Sequence, residues 1–253
     1  MKKYELTDET LKIGAITLHR IKAVVAFADV SAGETGGWVE KEENLDQAGA
    51  AWVYGDAWVS GAARVYGDAR VSGAAWVYGD AWVSGAARVS GAAWVSGAAR
   101  VSGAARVSGA AWVSGAARVY GDAWVYGDAR VSGDAWVSGA AWVSGAARVY
   151  GDARVSGAAR VYGDACHLEI GPIGSRDDTI TFTRDKKGGI YAAIGCFFGT
   201  LAEFRKKVGK THGENVHAQA YLLAAQLAEL RIDTTPVDDG QEQLDKETEN
   251  DGK

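Results

Sequence analysis

The chain has very few of the residues that form disulfides, break regular structure or span membranes. Its 253 residues include two cysteines, two prolines and one methionine. Two cysteines, Cys166 and Cys196, are too few for a disulfide-built secreted domain and fit a reducing compartment. The chain has no run of about 18 apolar residues, and its first residues, MKKYELTDET, do not contain the apolar segment of a signal peptide. These absences favour a cytoplasmic protein without a membrane partner.

Strong charge of either sign is also missing from most of the chain. The net charge is −5, and residues 233–253, with eight acids and two lysines, carry −6 of it, which leaves about +1 for the rest. Such a body fits neither a strongly basic nucleic-acid binder nor an acidic mimic of nucleic acid. Residues 233–253 are polar and poor in large apolar side chains, so we expect a disordered acidic tail.

What is abundant is one six-residue unit. Residues 51–164 repeat the pattern A-[WR]-V-[YS]-G-[DA] nineteen times without an insertion. Composition divides the remainder into a strand-rich N-terminal cap, residues 1–50, an αβ module, residues 165–232, and the tail. Repetition at a short fixed period is typical of solenoids, in which each unit is stable only against its neighbours.

The spacing within the hexad predicts which side chains lie inside. Ala51 and Val53 are two residues apart and share one side of an extended strand, whereas Trp52 points the other way. Ala and Val of every hexad therefore line a narrow interior, and Trp or Arg faces outward. Gly55 and its equivalents permit the turn that ends each strand. We predict a prism-shaped parallel β-solenoid whose open ends are closed by the flanking segments.

The hexad resembles the repeat of hexapeptide-repeat proteins, in which a small residue follows an aliphatic one after four positions, as Ala57 follows Val53. The resemblance covers all nineteen hexads and implies a mainly β fold, a left-handed parallel β-helix with eighteen residues in each three-strand coil. Residues 30–54 also resemble the opening segment of bacterial and prophage proteins labelled as transferases or polymer-forming proteins. The matching residues are Gly36, Gly37, Trp38, Val39, Asn44, Leu45 and Gly49.

Eighteen residues in each coil would align the outward side chains in three columns. The most aromatic column consists of Trp58, Trp76, Trp94, Trp112, Arg130 and Arg148. The other two columns begin at Trp52 and Arg64 and contain both residue types. Indoles stack on one another and attract arginine, and corner aspartates such as Asp56 could neutralise arginines that lie over arginines. The first column is either a stabilising ladder or a candidate strip for binding a partner.

The αβ module shows the signals of strands followed by helices. Residues 187–189 form a hairpin turn in this interpretation, and Thr200 with Glu203 forms a capping box that starts a helix. The loop 171–176 either grips an anion through backbone N–H groups and Arg176, the candidate contact residue of this module, or is a plain glycine-rich connection. Helical spacing predicts that the last helix buries the stripe Val216, Ala220, Leu223, Leu227 and Leu230.

Residues suited to catalysis are scarce in the repeats. The resemblance implies that acyltransferases of this kind use a histidine near the repeats and a looped-out insertion, and that related carbonic anhydrases bind metal with three histidines. No loop interrupts the array, and the four histidines lie outside it: His19, His167, His212 and His217. Cys166 and Cys196 could join His167 and His212 around zinc, but their spacing favours buried thiols and surface imidazoles. We expect no catalytic residues, metal or cofactor.

These observations favour a non-catalytic β-solenoid that serves as a scaffold or binding protein, in a phage or prophage setting within a bacterial host cell. Its partner is another copy of itself or another protein, nucleic acid is not expected, and a small-molecule ligand stays open. One alternative is a phage counter-defence protein that captures a host immune protein or signal molecule. A lower alternative is an enzyme similar to the hexapeptide acyltransferases.

Overall fold

A computed structural model describes residues 1–236, and residues 237–253, most of the predicted tail, lie outside the described part. The protein is mainly β. A parallel β-solenoid follows a strand-rich start and leads into a small module of one sheet and two helices. This architecture confirms the predicted fold class, while the left-handed sense of the coil stays a prediction from the resemblance.

The first three strands connect a hairpin to the solenoid. β1 (Tyr4–Ile13) and β2 (Ile16–Ala23) pair antiparallel, and β3 (Thr35–Val39) pairs antiparallel with β2. β3 also pairs in parallel with the solenoid, where Trp38 lies opposite Trp58. The hairpin therefore extends one face of the solenoid into a nine-stranded sheet.

The hexads form nineteen two-residue strands, each of which contains the outward Trp or Arg and the inward Val. These strands, β4 to β22, are Trp52–Val53, Trp58–Val59, Arg64–Val65, Arg70–Val71, Trp76–Val77, Trp82–Val83, Arg88–Val89, Trp94–Val95, Arg100–Val101, Arg106–Val107, Trp112–Val113, Arg118–Val119, Trp124–Val125, Arg130–Val131, Trp136–Val137, Trp142–Val143, Arg148–Val149, Arg154–Val155 and Arg160–Val161. Each strand is followed by a turn, so that the chain changes direction once in every hexad.

Strand pairing fixes the length of the coil. Trp76 lies opposite Trp94 in the first face, and Arg100 lies opposite Arg118 in another, so paired residues are eighteen positions apart. The ladder is regular, since the Trp76 backbone N–H donates to the Ala93 carbonyl oxygen over 2.9 Å. The pairing confirms the predicted columns.

The interior is as narrow as the sequence predicts. The Val and the Ala of every hexad are at most 3% exposed. An interior of this width holds small and β-branched side chains at high packing density, and a larger residue would overpack it. Burial of these two positions in every hexad therefore confirms the predicted inside and outside of the repeat.

Polar side chains of the N-terminal cap satisfy the backbone at the beginning of the solenoid. The Asn44 side-chain amide donates to the Ala63 carbonyl oxygen over 2.8 Å. The Tyr4 hydroxyl donates to the Leu45 carbonyl oxygen over 2.7 Å, and the Lys3 ammonium donates to a carbonyl oxygen in the first coil. These side chains replace the ladder partners that the first coil does not have on its outer side, which closes the edge to other chains.

Trp52 departs from the outward rule. Its side chain is fully buried, because the cap covers it: the Phe27 ring centroid lies 5.4 Å from that of Trp52 and the Tyr4 centroid lies 6.0 Å away, both edge-on. The prediction that every Trp faces solvent is therefore wrong at this position. The hexad pattern gives the direction of the side chain, but only the cap decides whether water reaches it.

The αβ module contains a four-stranded antiparallel sheet and two helices. Its strands are β23 (His167–Ile173), β24 (Asp178–Arg184), β25 (Ile190–Ile194) and β26 (Phe197–Thr200), and its helices are α1 (Leu201–His212) and α2 (Val216–Arg231). Gly188, in the turn between β24 and β25, has φ +85°, as the predicted hairpin turn requires. The Thr200–Glu203 capping box is present at the start of α1.

The module sits on the last coils of the solenoid. The Arg154 backbone N–H donates to the Thr181 hydroxyl over 3.0 Å, and the Arg184 guanidinium lies 4.7 Å from the centre of the Tyr162 ring. The first residues of the predicted tail also bind here, since the Asp233 backbone N–H donates to the Ala165 carbonyl oxygen. Asp233, the first residue assigned to the tail by composition, therefore contacts the end of the solenoid.

The predicted buried stripe of α2 is wrong. Leu223 is 64% exposed and Leu230 is 86% exposed. The side chains that α2 buries are Ala218, Tyr221, Ala224, Ala225 and Ala228. Small residues bring this helix close to α1 and the sheet, and Tyr221 fills the remaining space beside the Phe204 ring. The helix therefore has two apolar faces, of which the module covers the alanine face.

Candidate binding face and C-terminal cleft

The predicted column of four tryptophans and two arginines forms a continuous strip on one side of the solenoid, which we call the Trp face. Its members are Trp58, Trp76, Trp94, Trp112, Arg130 and Arg148. The ring centroids of successive indoles are 4.5, 4.7 and 4.8 Å apart, and their planes are within 12° of parallel. The structure thus brings together all six residues that the sequence singles out.

Each indole of the Trp face is partly shielded by the next one. Trp112, the last of the four, is 41% exposed, and the Arg130 guanidinium lies 5.2 Å from the centre of its ring. Stacking and cation–π attraction stabilise this arrangement and hold the rings in fixed orientations. Trp38 lies opposite Trp58, so the column begins one strand earlier than the hexads indicate.

Corner tyrosines support some of the tryptophans from the side. Tyr78 meets the Trp94 ring edge-on with 6.4 Å between centroids, and Tyr126 meets Trp142 in the same way. An edge-to-face contact of this kind favours the observed ring geometry. Tyr at a corner therefore has a packing role, which the hexad pattern alone does not reveal.

The acid that neutralises an array arginine is, in one case, outside the array. The two terminal nitrogens of the Arg70 guanidinium, Nη1 and Nη2, each donate to the carboxylate of Asp29, in the N-terminal cap, over 2.8 Å. The corner residue Asp56 pairs instead with Arg20 of the cap, at 3.9 Å. These contacts join the cap to the first coils rather than bridging one coil to the next.

An apolar pocket of about 290 Å³ lies at the beginning of the Trp face. The tip of the β1–β2 hairpin forms one wall with Ile13 and Ile16, and the indoles of Trp58 and Trp76 form the other. The sequence gives no signal for this pocket, because it depends on where the hairpin folds over the solenoid.

A larger cleft of about 900 Å³ lies at the other end, between the last coils and the αβ module. Arg130 and Arg148 of the Trp face line it together with Arg231 from the end of α2. His167 and Glu169, on β23, also line the cleft, with 3.8 Å between the His167 Nε2 and Glu169 Oε1 atoms. The Trp face thus leads from an apolar pocket into a cleft lined by arginines.

Glu169 is the titratable group of this cleft that burial affects most clearly. Burial, with a smaller contribution from the charge of Asp152, raises the pKa of Glu169 from an ordinary 4.5 to about 7. Its Oε1 atom has no hydrogen-bond partner among the described residues. A carboxyl group that titrates near neutrality can accept or donate a proton at physiological pH.

Arg176 lies apart from the cleft. It lines a small pocket of about 190 Å³ with Cys196, Lys207 and His212, between β26 and α1. The loop before it wraps around a side chain of α2, since a Cβ on Gly174 would overlap with the Tyr221 hydroxyl oxygen. The glycine there permits close packing and a positive φ of 77°.

The four histidines do not come together in one site. His19 lies in the N-terminal hairpin and His167 in the cleft, while His212 and His217 face each other near the start of α2 with 6.1 Å between ring centroids. Cys166 is buried and Cys196 is exposed. Within residues 1–236, no three His, Cys, Asp or Glu side chains gather where they could hold a metal ion. No helix of this part is long and apolar enough to cross a membrane.

The fold and these sites define the protein as a β-solenoid repeat protein with a closed N-terminal end and an αβ module. The repeat family described as YdcK Beta solenoid repeat matches four stretches of the array: residues 63–79, 99–115, 129–145 and 147–163. The chain is also similar to a protein of Escherichia coli (strain K12) described as "Uncharacterized acetyltransferase YdcK", with 36% identity over 62 residues. That match covers 21% of this chain and 19% of the relative, so the chain spans about a fifth of its length.

Proposed function

We propose that the protein is a non-catalytic β-solenoid scaffold that binds a protein partner through the Trp face. The observation that carries this proposal is the unbroken strip of four stacked indoles followed by two arginines. Trp and Arg are the residue types most enriched at the energetic centres of protein interfaces. Because stacking already fixes the rings, little side-chain entropy is lost when a partner covers them.

The chemical groups of the Trp face indicate which kind of partner surface it could bind. Indole edges offer apolar contact and N–H donors, and the arginines at its end offer paired donors for carboxylates. A suitable partner therefore presents an apolar surface with acidic residues at one end. The phage or prophage setting, the cytoplasmic location and the capture of a host immune protein or signal molecule through Arg176 stay predictions from the sequence.

A matched pair of variants tests whether the Trp face binds or only stabilises. Trp76→Ser with Trp94→Ser removes the centre of the strip, and Trp124→Ser with Trp142→Ser removes a stacked pair of similar geometry, at 4.9 Å and 3°, from another column. Each double variant and the original chain would be used to capture proteins from a bacterial lysate, with quantitative mass spectrometry as the readout.

We expect at least one protein that the original chain and the Trp124/Trp142 control enrich and that the Trp76/Trp94 variant loses by tenfold or more. Melting curves of both variants would show whether they lose similar stability. Equal enrichment by all three chains, or equal loss in both variants, would show that the strip is a structural ladder.

The cleft supports a second candidate function, acyl transfer. Glu169, with its pKa near 7, lies beside His167 in a cleft whose arginines suit the phosphates of an acyl donor. The name of the E. coli relative points to the same class. Glu169 would then accept the proton of the attacking hydroxyl or amine.

Calorimetry with acetyl-CoA separates the two candidates. An acyltransferase should release or absorb heat on binding, and Arg148→Ala should weaken that binding by about tenfold, as expected when a charged hydrogen bond is lost. A chain that gives no heat with acetyl-CoA at millimolar concentration is not an acetyltransferase of this kind.

A further inference from the structure

The outer face of α2 carries apolar side chains that no described residue covers. Val216 is 70% exposed, Leu223 is 64%, Leu227 is 46% and Leu230 is 86%. Together with the half-buried Ala220 they form the stripe that the sequence assigns to the core, which we call the leucine stripe. Exposed apolar patches of this kind usually mark an interface.

The spacing of the leucine stripe is that of a two-helix seam. Its five members follow one another at intervals of four, three, four and three residues. These intervals place them at successive d and a positions of a heptad, the positions that interlock between two packed helices. α2 has sixteen residues, which give it a length of about 24 Å and room for two full heptads.

We propose that the leucine stripe is the seam of a homodimer, in which the α2 helices of two copies of this chain pack antiparallel about a twofold axis near Leu223. Reversing one helix about this axis places Leu223 against Leu223 and Val216 against Leu230 of the other copy, and it brings Ala220 within one residue of the level of Leu227. The two unequal pairs each set a smaller side chain against a leucine, so the two surfaces interlock without overpacking.

The polar residues beside the seam agree with this arrangement. Gln219 and Gln226 are exposed, lie seven residues apart and flank the same side of the leucine stripe. In the antiparallel pair, Gln219 of one copy lies beside Gln226 of the other, and each side-chain amide can both donate and accept. Antiparallel helices also oppose their dipoles favourably.

Electrostatic repulsion between the α2 helices of two copies does not oppose the dimer. The acidic and basic residues of α2 are Glu229 and Arg231, besides His217. Glu229 is already paired with Arg205 of α1 through two hydrogen bonds of 2.7 and 2.8 Å. The seam therefore brings two nearly neutral faces together, which avoids like-charge repulsion at an interface.

The size of the leucine stripe indicates how much surface a dimer would bury. The exposed apolar surface of one copy is on the order of 500 Å², so a dimer would bury about 1,000 Å² in total, near the lower limit for specific interfaces. An interface near this limit is expected to be weak, with a dissociation constant on the order of micromolar that depends on how well its centre packs.

Other occupants fit the stripe less well. The remaining sequence, residues 237–253, offers only Val237 and Leu244 as large apolar residues, against five positions to cover. Membrane-surface helices carry several lysines or arginines beside their apolar face, whereas α2 contains one arginine. The proposal does not rest on binding through the Trp face, which lies on the solenoid.

Sedimentation velocity of the full chain between 1 and 100 μM tests the dimer. We expect a mass that rises toward twice the 26.5 kDa of one chain. Leu223→Gln with Leu227→Gln should remain at the mass of one chain at 100 μM. Leu222→Gln changes an exposed leucine outside the stripe and should dimerise like the original chain.

Circular dichroism would show that these variants keep their fold. A single chain at 100 μM, or a dimer that the Leu223/Leu227 variant preserves, overturns the proposal. Removal of residues 237–253 should leave the dimer unchanged, and dimerisation only after this removal would show that the tail covers the stripe. Binding to anionic vesicles that competes with dimerisation would show a membrane-surface role instead.

Cysteine pairs test the antiparallel arrangement. In a Cys196→Ser background, Leu223→Cys should oxidise to a covalent dimer. Val216→Cys and Leu230→Cys should each form little dimer alone but should cross-link when mixed, because the two positions meet only across the axis. Efficient self-cross-linking of Val216→Cys would indicate parallel helices and contradict the proposed geometry.

Discussion

Glycine at the stacked corners inside the solenoid meets two requirements that no other residue meets together. Gly91 has φ +65°, in the left-handed region where a Cβ is unfavourable. The next corner lies directly against it, so that an added Cβ would be 3.0 Å from the backbone N and O atoms of Gly109. The invariant position of the hexad therefore follows from both the turn and the stacking of coils.

Replacing one corner glycine should destabilise the solenoid. We expect Gly91→Ala to lower the free energy of unfolding by about 1 to 3 kcal/mol, because strain and the close approach add together. The melting temperature should fall by about 2 to 4 °C for each kcal/mol. Ala92→Asp, which introduces the alternative residue of the same hexad position, should change stability by less than about 0.5 kcal/mol. Equal effects of the two changes would contradict this account.

Glu169 should make stability depend on pH. The pKa of about 7 in the folded chain exceeds the ordinary 4.5, so between these values the unfolded chain has released a proton that the folded chain retains. The free energy of unfolding should therefore fall as pH rises from about 4.5 to 7 and be level above that range. With allowance for partial exposure, we expect a loss of about 1 to 2 kcal/mol.

The measurement is urea denaturation at several pH values for the original chain and for Glu169→Gln. The difference between the two chains should carry the slope, because the substitution removes the titrating carboxyl group. Asp152→Asn removes the negative charge that helps to raise this pKa and should reduce the slope without abolishing it. A difference that stays constant from pH 4.5 to 7 would show that the folded carboxyl group titrates at its ordinary value.

At the scale of the element, α2 shows that helical spacing does not say which apolar face is buried. The alanine face packs against α1 and the sheet because small side chains allow a close approach, and the Phe204 and Tyr221 rings meet edge-on in this contact. The leucine stripe has the stronger hydrophobic signal and yet remains outside the module. A second copy of the chain gives that signal a physical reason.

Substitutions on the two apolar faces of α2 should change stability by different amounts, and this difference tests which face is buried in the module. We expect Ala225→Leu, at a fully buried position, to destabilise the chain by about 1 to 3 kcal/mol through overpacking. Leu230→Ala, at a position that is 86% exposed, should cost less than about 0.5 kcal/mol when the chain is dilute enough to be monomeric. Thermal unfolding at submicromolar concentration measures both, and a larger loss for Leu230→Ala would restore the leucine stripe to the core.

At the scale of the whole molecule, the columns depend on the number of hexads rather than on local sequence. Removing one hexad keeps every Val and Ala inside but rotates all later hexads to the next face of the prism. Removing three hexads deletes a whole coil and leaves the columns aligned. Removing one hexad therefore divides the Trp face between two sides of the prism without changing any of its side chains.

Deletion of residues 79–84 should leave a folded solenoid in which Trp58 and Trp76 are separated from Trp94 and Trp112. Deletion of residues 79–96 should leave three tryptophans of the Trp face in one column. If the Trp face binds the partner, we expect the first deletion to reduce binding by tenfold or more and the second to reduce it only slightly, as measured by the capture assay. Circular dichroism checks the fold, and equal binding by both deletions would contradict a continuous binding strip.

The array could be predicted from the sequence in detail, whereas the candidate site could be predicted only in part. The columns, the buried Val and Ala rows and the Trp face follow from the repeat and its resemblance, since each hexad meets the same neighbours. The cleft with Glu169 could not be predicted, because it depends on how the αβ module packs against the last coils. Glu169 itself has no pattern around it that distinguishes it from a surface acid.

The sequence by itself determined which side chains of the repeat lie inside and which lie outside, because Ala and Val two residues apart share one side of a strand. The eighteen-residue coil came from the family resemblance. Tertiary structure determined how each end of the solenoid is covered and which side chains are buried there. It buried Trp52 beneath the cap, set Glu169 in an arginine-lined cleft and turned the leucine stripe of α2 away from its own module. In each case the outcome depends on which surfaces meet across long stretches of chain, and local spacing carries no information about those contacts.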